Sequence, residues 1–425
     1  MSGVKQLTYS ENFQMDLSSG DALSCDGVNV QNGVLRGFNA YEPLDERKEY
    51  FGIVGVENNA LFVHTNRTLR KYDGEFSNLM VKIPVLNPIS ADERYEIYRG
   101  AVYIAFDEDG VIRHDCATGK STRWAFNDYA ADIAVVNERL AMLLTDGVTI
   151  RFADCNGRLY SEVEKADVTQ SVTLPSAVQA ITRSGFNTLY ALGDTCYKLT
   201  FSAKNEDIKV DEIARGICEV NHNTVREING KIIFASKNKL YALRNGGIKR
   251  IFPELSEAIN GFYGCRASVW KGRYVLTIPY LEGRRAYVLD VDSCKCVAML
   301  CRDVVDVCAY GDQDVIVNSA GELLISRAEE YSPAVFTRSG INFGTSSVKY
   351  LRKLTLTSKY DVEVIITDGD GVSRSYYVRG GENMQSLNVQ GKGRTFKLQI
   401  RSAGQAEVTF LSLTAETYKE VYYGD

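Results

Sequence analysis

The chain has 425 residues, of which 45% are hydrophobic and 24% charged, with a formal net charge of −5. This is the composition of a water-soluble globular protein too long for one ordinary domain. The mild acidity speaks against tight DNA or RNA binding, which needs clustered Lys and Arg to neutralise phosphates. No run reaches the roughly 18 apolar residues of a membrane span, and the opening MSGVKQLTYSENFQ lacks the apolar core of a secretory leader.

Residues 1–46 read as a β arm. Asp26-Gly27 and Asn32-Gly33 are hairpin signals, since both residue types in each pair tolerate positive φ. This arm either supplies a strand that closes the following domain or reaches a neighbouring subunit.

Residues 47–335 carry a recurring hairpin. The clearest copy runs from Asn229 to Gly247, where Ile232, Ile233 and Phe234 face Leu240, Tyr241, Ala242 and Leu243 between the turn dipeptides Asn229-Gly230 and Asn245-Gly246. Similar apolar pairs occur at 61–63 with 68–72, 102–105 with 111–113, 140–143 with 148–150, 189–192 with 196–199, 274–276 with 286–289, and 315–317 with 323–325. The spacing is about 40 residues, the length of one four-stranded propeller blade. A single hairpin is marginal alone, and radial stacking buries both faces of each small sheet. The expectation is an all-β chain whose central part is a β-propeller of about seven blades. Pro253 suits the first position of a short helical turn over 252–259.

From 336 the pattern changes. Segments 348–357, 362–367, 373–378, 385–389, 395–401 and 407–413 read as strands, separated by turns such as Asp368-Gly369-Asp370-Gly371 and Gly391-Lys392-Gly393. Phe396, Leu398 and Ile400 alternate with Thr395, Lys397 and Gln399, the period of a half-buried strand. Several short antiparallel strands at 336–425 predict a C-terminal β-sandwich. The tail carries Tyr418, Tyr422 and Tyr423.

The sequence contains no phosphate loop ending in Lys-Ser or Lys-Thr, no His-Glu-x-x-His and no Gly-x-Ser-x-Gly elbow. Asp368-Gly-Asp-Gly is a turn, because a calcium loop needs more oxygen ligands at alternating positions. The ten cysteines include no Cys-x-x-Cys pair, and His64, His114 and His222 stand far from Cys294 and Cys296. Reduced, mostly buried thiols are expected. His114 and Asp115 are neighbours on a strand and face opposite sides. Asp107, Asp109, Asp146, Glu282 and Asp290 lie near strand ends beside turns, an ordinary place for acids. No catalytic, cofactor-binding or metal residue is assigned, and the chain is not expected to be an enzyme. The best basic cluster is Lys271, Arg273, Arg284 and Arg285, interleaved with Trp270, Tyr274 and Tyr280. Base stacking would use such a mixture, but Lys and Arg also commonly protect strand edges. With the tail residues Tyr422 and Tyr423, these are the interaction candidates: Lys271, Arg273, Tyr280, Arg284, Arg285, Tyr422 and Tyr423.

Three segments together resemble a family. Residues 21–36, DALSCDGVNVQNGVLR, are similar to the opening of phage tail proteins in which a phrase N-V-x-x-G-x-L-R precedes a propeller. Residues 264–279, GCRASVWKGRYVLTIP, followed by AYVLD at 286–290, resemble a blade of those proteins. SGINFG at 339–344, RKL at 352–354 and GKGRTFKL at 391–398 resemble modules that end phage tail and hub proteins. The resemblance implies a structural virion protein, a tail nozzle or tail-tube component of a short-tailed phage. Such a protein assembles with itself into a ring, typically six-fold, meets adaptor, neck or other tail proteins, and lets DNA pass transiently, with no cofactor and no membrane. Two other readings stay open on the residues alone: a cellular propeller serving as an interaction scaffold, and a propeller hydrolase or lyase acting on glycans.

Overall fold

The computed structural model describes residues 4–11, 23–26, 28–31, 34–65, 69–79, 94–106, 110–125, 130–154, 163–165, 168–202, 207–244, 247–256, 259, 264–280, 283–300 and 303–418. The described chain is all-β, built of many small antiparallel sheets, with a short 3₁₀ turn at Pro253–Ser256. It divides into two compact units, residues 43–284 with 303–325, and residues 1–42 with 285–302 and 326–425. The sequence puts the boundaries at 46–47 and 335–336, whereas the compact units part at 42–43 and 325–326, and 285–302 group with the terminal segments. Both shifted boundaries fall inside long continuous strands, Asn39–Lys48 and Glu322–Tyr331, where no change of composition marks them.

In the unit of residues 43–284 and 303–325, seven strands each begin a sheet: β1 (Tyr50–Glu57), β2 (Arg94–Tyr98), β3 (Ala130–Val136), β4 (Val178–Arg183), β5 (Val220–Ile228), β6 (Arg266–Trp270) and β7 (Asp306–Tyr310). β5, for example, is followed in sheet order by Lys231–Ser236, Lys239–Arg244 and Gly247–Ile251. The joint between the first and second strands is a two-residue loop in most of these sheets. Ile228 faces Lys231 across Asn229-Gly230, Val136 faces Arg139 across Asn137-Glu138, and Trp270 faces Arg273 across Lys271-Gly272. All six loop residues have φ between 49° and 72°, the backbone twist that suits a tight hairpin. The second of the two turn dipeptides around the clearest hairpin, Asn245-Gly246, lies outside the described residues.

The first strands contact one another in a closed cycle, β1 to β2 and onward to β7, with β7 returning to β1. Apolar clusters lie between successive sheets. Phe62 packs with Val102 and Ile112, Val135 with Tyr103, Phe152 with Leu189 and Phe201, and Tyr190 with Ile232 and Phe234. The last sheet meets the first through Val315, Val317 and Leu323 against Ile53, Leu61 and Val63. Sheets covered on both faces favour near-continuous apolar runs, so Ala60–Thr65, apolar from Ala60 to Val63, and the stretch from Leu140 to Leu144 are buried throughout rather than alternately.

The sheet that begins with β7 takes its outermost strand from Asn39–Lys48. Lys48 Nζ lies 2.6 Å from Glu322, and the Tyr50 amide donates to the Gly321 carbonyl at 3.0 Å. Asp45 on this strand accepts from the Tyr50 hydroxyl and from the Arg70 guanidinium of the first sheet, and Arg70 lies 4.4 Å from the Phe76 ring centre. The outer strand of the last sheet is thereby tied to the first.

The unit of residues 1–42, 285–302 and 326–425 contains two further groups of strands. One sheet runs Leu23–Asp26, Ala334–Ile341, Phe396–Ser402, Val362–Thr367, Ser373–Val378. Val362, Val364 and Ile366 are buried along one strand and Phe396, Leu398 and Ile400 along another, the half-buried period. In the other group the long strand Glu407–Tyr418 pairs with Val4–Glu11, Lys349–Ser358 and Val34–Gly37. It runs five residues beyond the sequence expectation of 407–413 because paired neighbours on both sides satisfy its backbone to the end. Lys349 is fully buried, and its ammonium donates to the carbonyls of Thr345, Ser347 and Arg394 at 2.6, 2.7 and 2.9 Å. Three donors meet three acceptors, which is how a buried charge becomes tolerable.

Candidate functional site: the central cavity of the seven-strand cycle

The first strands carry polar side chains that tie each to the next. In β3, Asp132 accepts from its neighbour Ile133 N at 2.9 Å and from Ile181 N of β4 at 2.7 Å. Gln179 of β4 accepts from Val220 N of β5 at 3.3 Å, and Asn221 of β5 donates to the Cys265 carbonyl, just before β6, at 3.1 Å. Asp306 of β7 accepts from Val307 N at 2.9 Å, from the Ser268 hydroxyl of β6, and from Ile53 N of β1 at 2.9 Å. β-bulges interrupt β3 at Ala130/Asp132 and β5 between Asn221 and Arg226. Bulges re-aim side chains. In β5, Thr224 anchors the irregularity: its hydroxyl accepts from Ala235 N at 2.8 Å and its carbonyl from Tyr274 Oη at 2.7 Å.

These ties have a measurable consequence. Asp306→Ala leaves the Ile53 amide and the Ser268 hydroxyl without their buried acceptor, which should cost about 3 kcal/mol. Asp211→Ala, at an exposed ion pair with Lys209, should cost less than about 1 kcal/mol. Urea midpoints of the two variants against the parent give the comparison, and equal shifts would refute a structural role for Asp306.

All seven first strands line one cavity of about 400 Å³. Arg94, Arg183, Arg226 and Arg266 reach it, as do Glu96, Asp132, Glu227 and Asp306. Arg94 Nη1 donates to Asn223 Oδ1 at 3.4 Å, linking β2 to β5, and Arg94 Nε lies 3.6 Å from Asp132. Arg183 Nε lies 2.9 Å from Glu96. Burial pushes the Glu96 carboxyl up to about 7 against the pull of Arg183, and pushes Asp132 up to about 6 against the pull of Arg94 and two backbone amides. His64 is buried beside the cavity, and burial together with Arg266 holds it down at about 3, so its imidazole is neutral near pH 7. A Cβ at Gly52 would stand 2.7 Å from His64 Nε2, so a side chain there would have to displace the buried His64 ring. Among the described residues no cluster of three or more His, Cys, Asp or Glu has the arrangement of a metal site.

The interaction candidates read from sequence lie elsewhere. Lys271 is a turn residue after β6; its Nζ sits 2.8 Å from Asp314 and 4.9 Å from the centre of the Trp270 ring. Arg273 begins the strand Arg273–Tyr280 and is half-buried. Arg284 follows that strand and donates to the Gly264 carbonyl at 2.7 Å, and burial lowers its pKa. One strand length, about 20 Å, separates Lys271 from Arg284, so the basic residues are not gathered into a single free cluster. Arg285 belongs to the other compact unit. The backbone of Tyr280 is described but its side chain is not, and Tyr422 and Tyr423 lie outside the described residues.

Of the acids near turns, Asp146 accepts from Val148 N and Thr149 N, and Asp290 from Asp292 N and Ser293 N, so both shape their loops. Asp107, Asp109 and Glu282 lie outside the described residues. Asp368 accepts from Asp370 N, Val372 N and Arg374, the bonding of a turn. His114 is buried with Nδ1 2.9 Å from Ser121 Oγ, while Asp115 on the other side accepts from Ala117 N and Thr118 N. The cavity arginines escape a hairpin-based reading. The available signal was an acid set among small apolar residues, Ala131-Asp132-Ile133-Ala134 and Val305-Asp306-Val307-Cys308.

No family model matches the chain, and no curated protein matches its sequence. Among solved structures, the computationally designed Ika8 protein is similar over 67% of this chain and 98% of its own, at 10% identity and a TM-score of 0.44. The extracellular domain of the hybrid two-component system BT3049 from B. thetaiotaomicron is similar over 72% of this chain and 47% of its own, at 12% identity and a TM-score of 0.43.

Proposed function

We propose that the unit with the seven-strand cycle is a seven-bladed β-propeller, that the other unit is a β-sandwich, and that the protein is a structural component of a phage tail. In this reading copies of the chain form a ring, of about six protomers, that contributes to the nozzle or tail tube through which DNA is retained and ejected. Its partners are further copies of itself and the adaptor, neck or other tail proteins.

The observation that carries the reading is the correspondence between the resembling segments and whole structural elements. Residues 21–36 span the strands Leu23–Asp26 and Val28–Gln31 and all but the last residue of Val34–Gly37. Residues 264–279 span β6 and nearly all of Arg273–Tyr280. The closed cycle of first strands supports the propeller, and the alternating burial of Val362–Thr367 and Phe396–Ser402 supports the sandwich. Fold alone does not decide function. Within each copy the Arg94–Asn223 bond joins β2 to β5 across the cavity, so a DNA path would run between copies rather than through one.

The test is the mass of the purified protein in solution by light scattering, alone and with tail partners. A multiple of about six protomers, or a monomer that forms rings only with those partners, supports the reading. A strict monomer indifferent to tail proteins overturns it.

A further inference from the structure

We propose that the central cavity of the seven-strand cycle is a binding site for a small, multiply charged oxyanion, held by Arg94, Arg183, Arg226 and Arg266. This inference does not depend on the tail reading.

The four guanidiniums come from β2, β4, β5 and β6 and line one cavity. Arg226 Nη1 donates to the Val225 carbonyl at 2.7 Å and Arg266 Nη1 to the Phe51 carbonyl at 3.0 Å, which fixes both side chains while leaving further N–H groups of each fork. Arg266 Nη2 is buried and has no hydrogen-bond acceptor among the described residues. No carboxylate among the described residues lies within ion-pair distance of Arg226 or Arg266. The nearby acids already have partners: both oxygens of Asp132 and both of Asp306 accept backbone amides, Asp132 and Glu96 pair with Arg94 and Arg183, and Glu227 accepts from Gly230 N at 3.0 Å, so among the described residues Arg226 and Arg266 are the two forks left without a direct carboxylate partner. Burial that pushes Glu96 up to about 7 leaves part of that carboxyl protonated near neutral pH.

Guanidinium forks keep their charge and match the paired oxygens of carboxylate and phosphate groups. A partly buried guanidinium without a direct ion-pair partner is costly, and an anion in the cavity lowers that cost for Arg226 and Arg266. The volume of about 400 Å³ suits a small molecule.

Calorimetry and thermal shift on the full-length protein at low ionic strength, with inorganic phosphate and separately with citrate, test the site. Saturable binding and a raised Tm are expected with at least one, and the preferred anion tells phosphate from carboxylate recognition. Sodium chloride at matched ionic strength should reproduce neither effect. Arg226→Met and Arg266→Met should each weaken binding about tenfold or more, while Arg215→Met, an exposed residue paired with Glu212, should leave it unchanged. If either Met variant fails to fold, Arg266→Lys, which keeps the charge and loses the fork, should still weaken binding. Absence of saturable binding of both anions to the parent protein overturns the proposal, as does parent-like binding by the variants.

Discussion

Asp45→Ala is expected to cost about 4 kcal/mol of unfolding free energy, because it leaves the Arg70 guanidinium buried without its carboxylate. The Arg70 side chain is only 5% exposed and that of Asp45 15%. The pair joins the outer strand of the last sheet in the cycle to the first sheet, so its loss should loosen the point at which the chain closes on itself. Hydrogen exchange should therefore accelerate first in Leu69–Tyr72 and in residues 43–48. Tyr50→Phe removes one donor to Asp45 and should cost about 1 kcal/mol. The same contact gives a pH dependence. Burial pushes the Asp45 carboxyl up, but the hydrogen bonds from Tyr50 and Arg70 outweigh it and hold the carboxyl below its ordinary value of 3.8. A depressed carboxylate contributes stability that is present above its unfolded value and lost as pH falls through the folded one. The difference between parent and Asp45→Ala should therefore be full at pH 6 and shrink below about pH 4. A difference that is constant from pH 7 to pH 3, or smaller than about 1 kcal/mol at neutral pH, would count against this account.

The second large effect is expected at Glu11 in the unit formed by the termini. Its side chain is 1% exposed, and Arg338 donates to it with two parallel bonds, Nε and Nη2, both at 2.9 Å. Tyr9 Oη donates to the same carboxylate at 2.6 Å, and burial together with Glu11 pushes the Tyr9 phenol up. Glu11 ends the strand Val4–Glu11, which pairs with Glu407–Tyr418, whereas Arg338 sits on Ala334–Ile341 in the other sheet of that unit. The pair thus ties two sheets, and Glu11→Ala should cost about 3–5 kcal/mol because Arg338 is left buried without its carboxylate. Replacing both partners, Glu11→Leu with Arg338→Met, should be markedly less harmful than Glu11→Ala alone, since the double change leaves no stranded charge. By contrast, Glu416→Ala at the exposed Arg352–Glu416 pair, whose side chains are 50% and 31% exposed, should change stability by less than about 1 kcal/mol. Denaturant titration of the four proteins decides the matter. Equal losses for the single and double variants would show that volume rather than charge governs the site.

The two pairs share a logic that runs through the molecule. Short strands with apolar faces find many acceptable neighbours, since one Val-rich strand packs on another with little discrimination. A buried ion pair or an Asp accepting a named backbone amide has one good partner. Asp306 to Ile53, Asp45 to Arg70 and Glu11 to Arg338 join residues 253, 25 and 327 positions apart, and each connects elements in different sheets. Charge and hydrogen bonding select the arrangement, whereas apolar burial supplies most of the driving force.

The sequence by itself determined the strands with the strongest local patterns. The pairs at 232–234 with 240–243 and at 140–143 with 148–150 are visible because a sheet covered on both faces requires unbroken apolar runs. Asn229-Gly230 is visible because a two-residue hairpin requires positive φ at both positions. The alternation at 395–401 is visible because one face of that strand is buried. These are local requirements, and residues within a few positions of each other report them.

Tertiary structure alone decided the rest. The first strands are illegible as a set: Arg94-Tyr95-Glu96-Ile97-Tyr98 carries two charges in five residues and lacks the unbroken apolar run by which the hairpin strands are read. Arg226 and Arg266, 40 positions apart by their numbers in the chain, become neighbours of one cavity only when the cycle closes. The basic residues Lys271 and Arg284, close in sequence, end a strand length apart because the chain between them is extended. Local backbone preference fixes where a strand lies and which way its side chains alternate. Which distant strand it faces, and whether its charges meet partners or one another, depends on long-range closure, whose entropy cost no local pattern records.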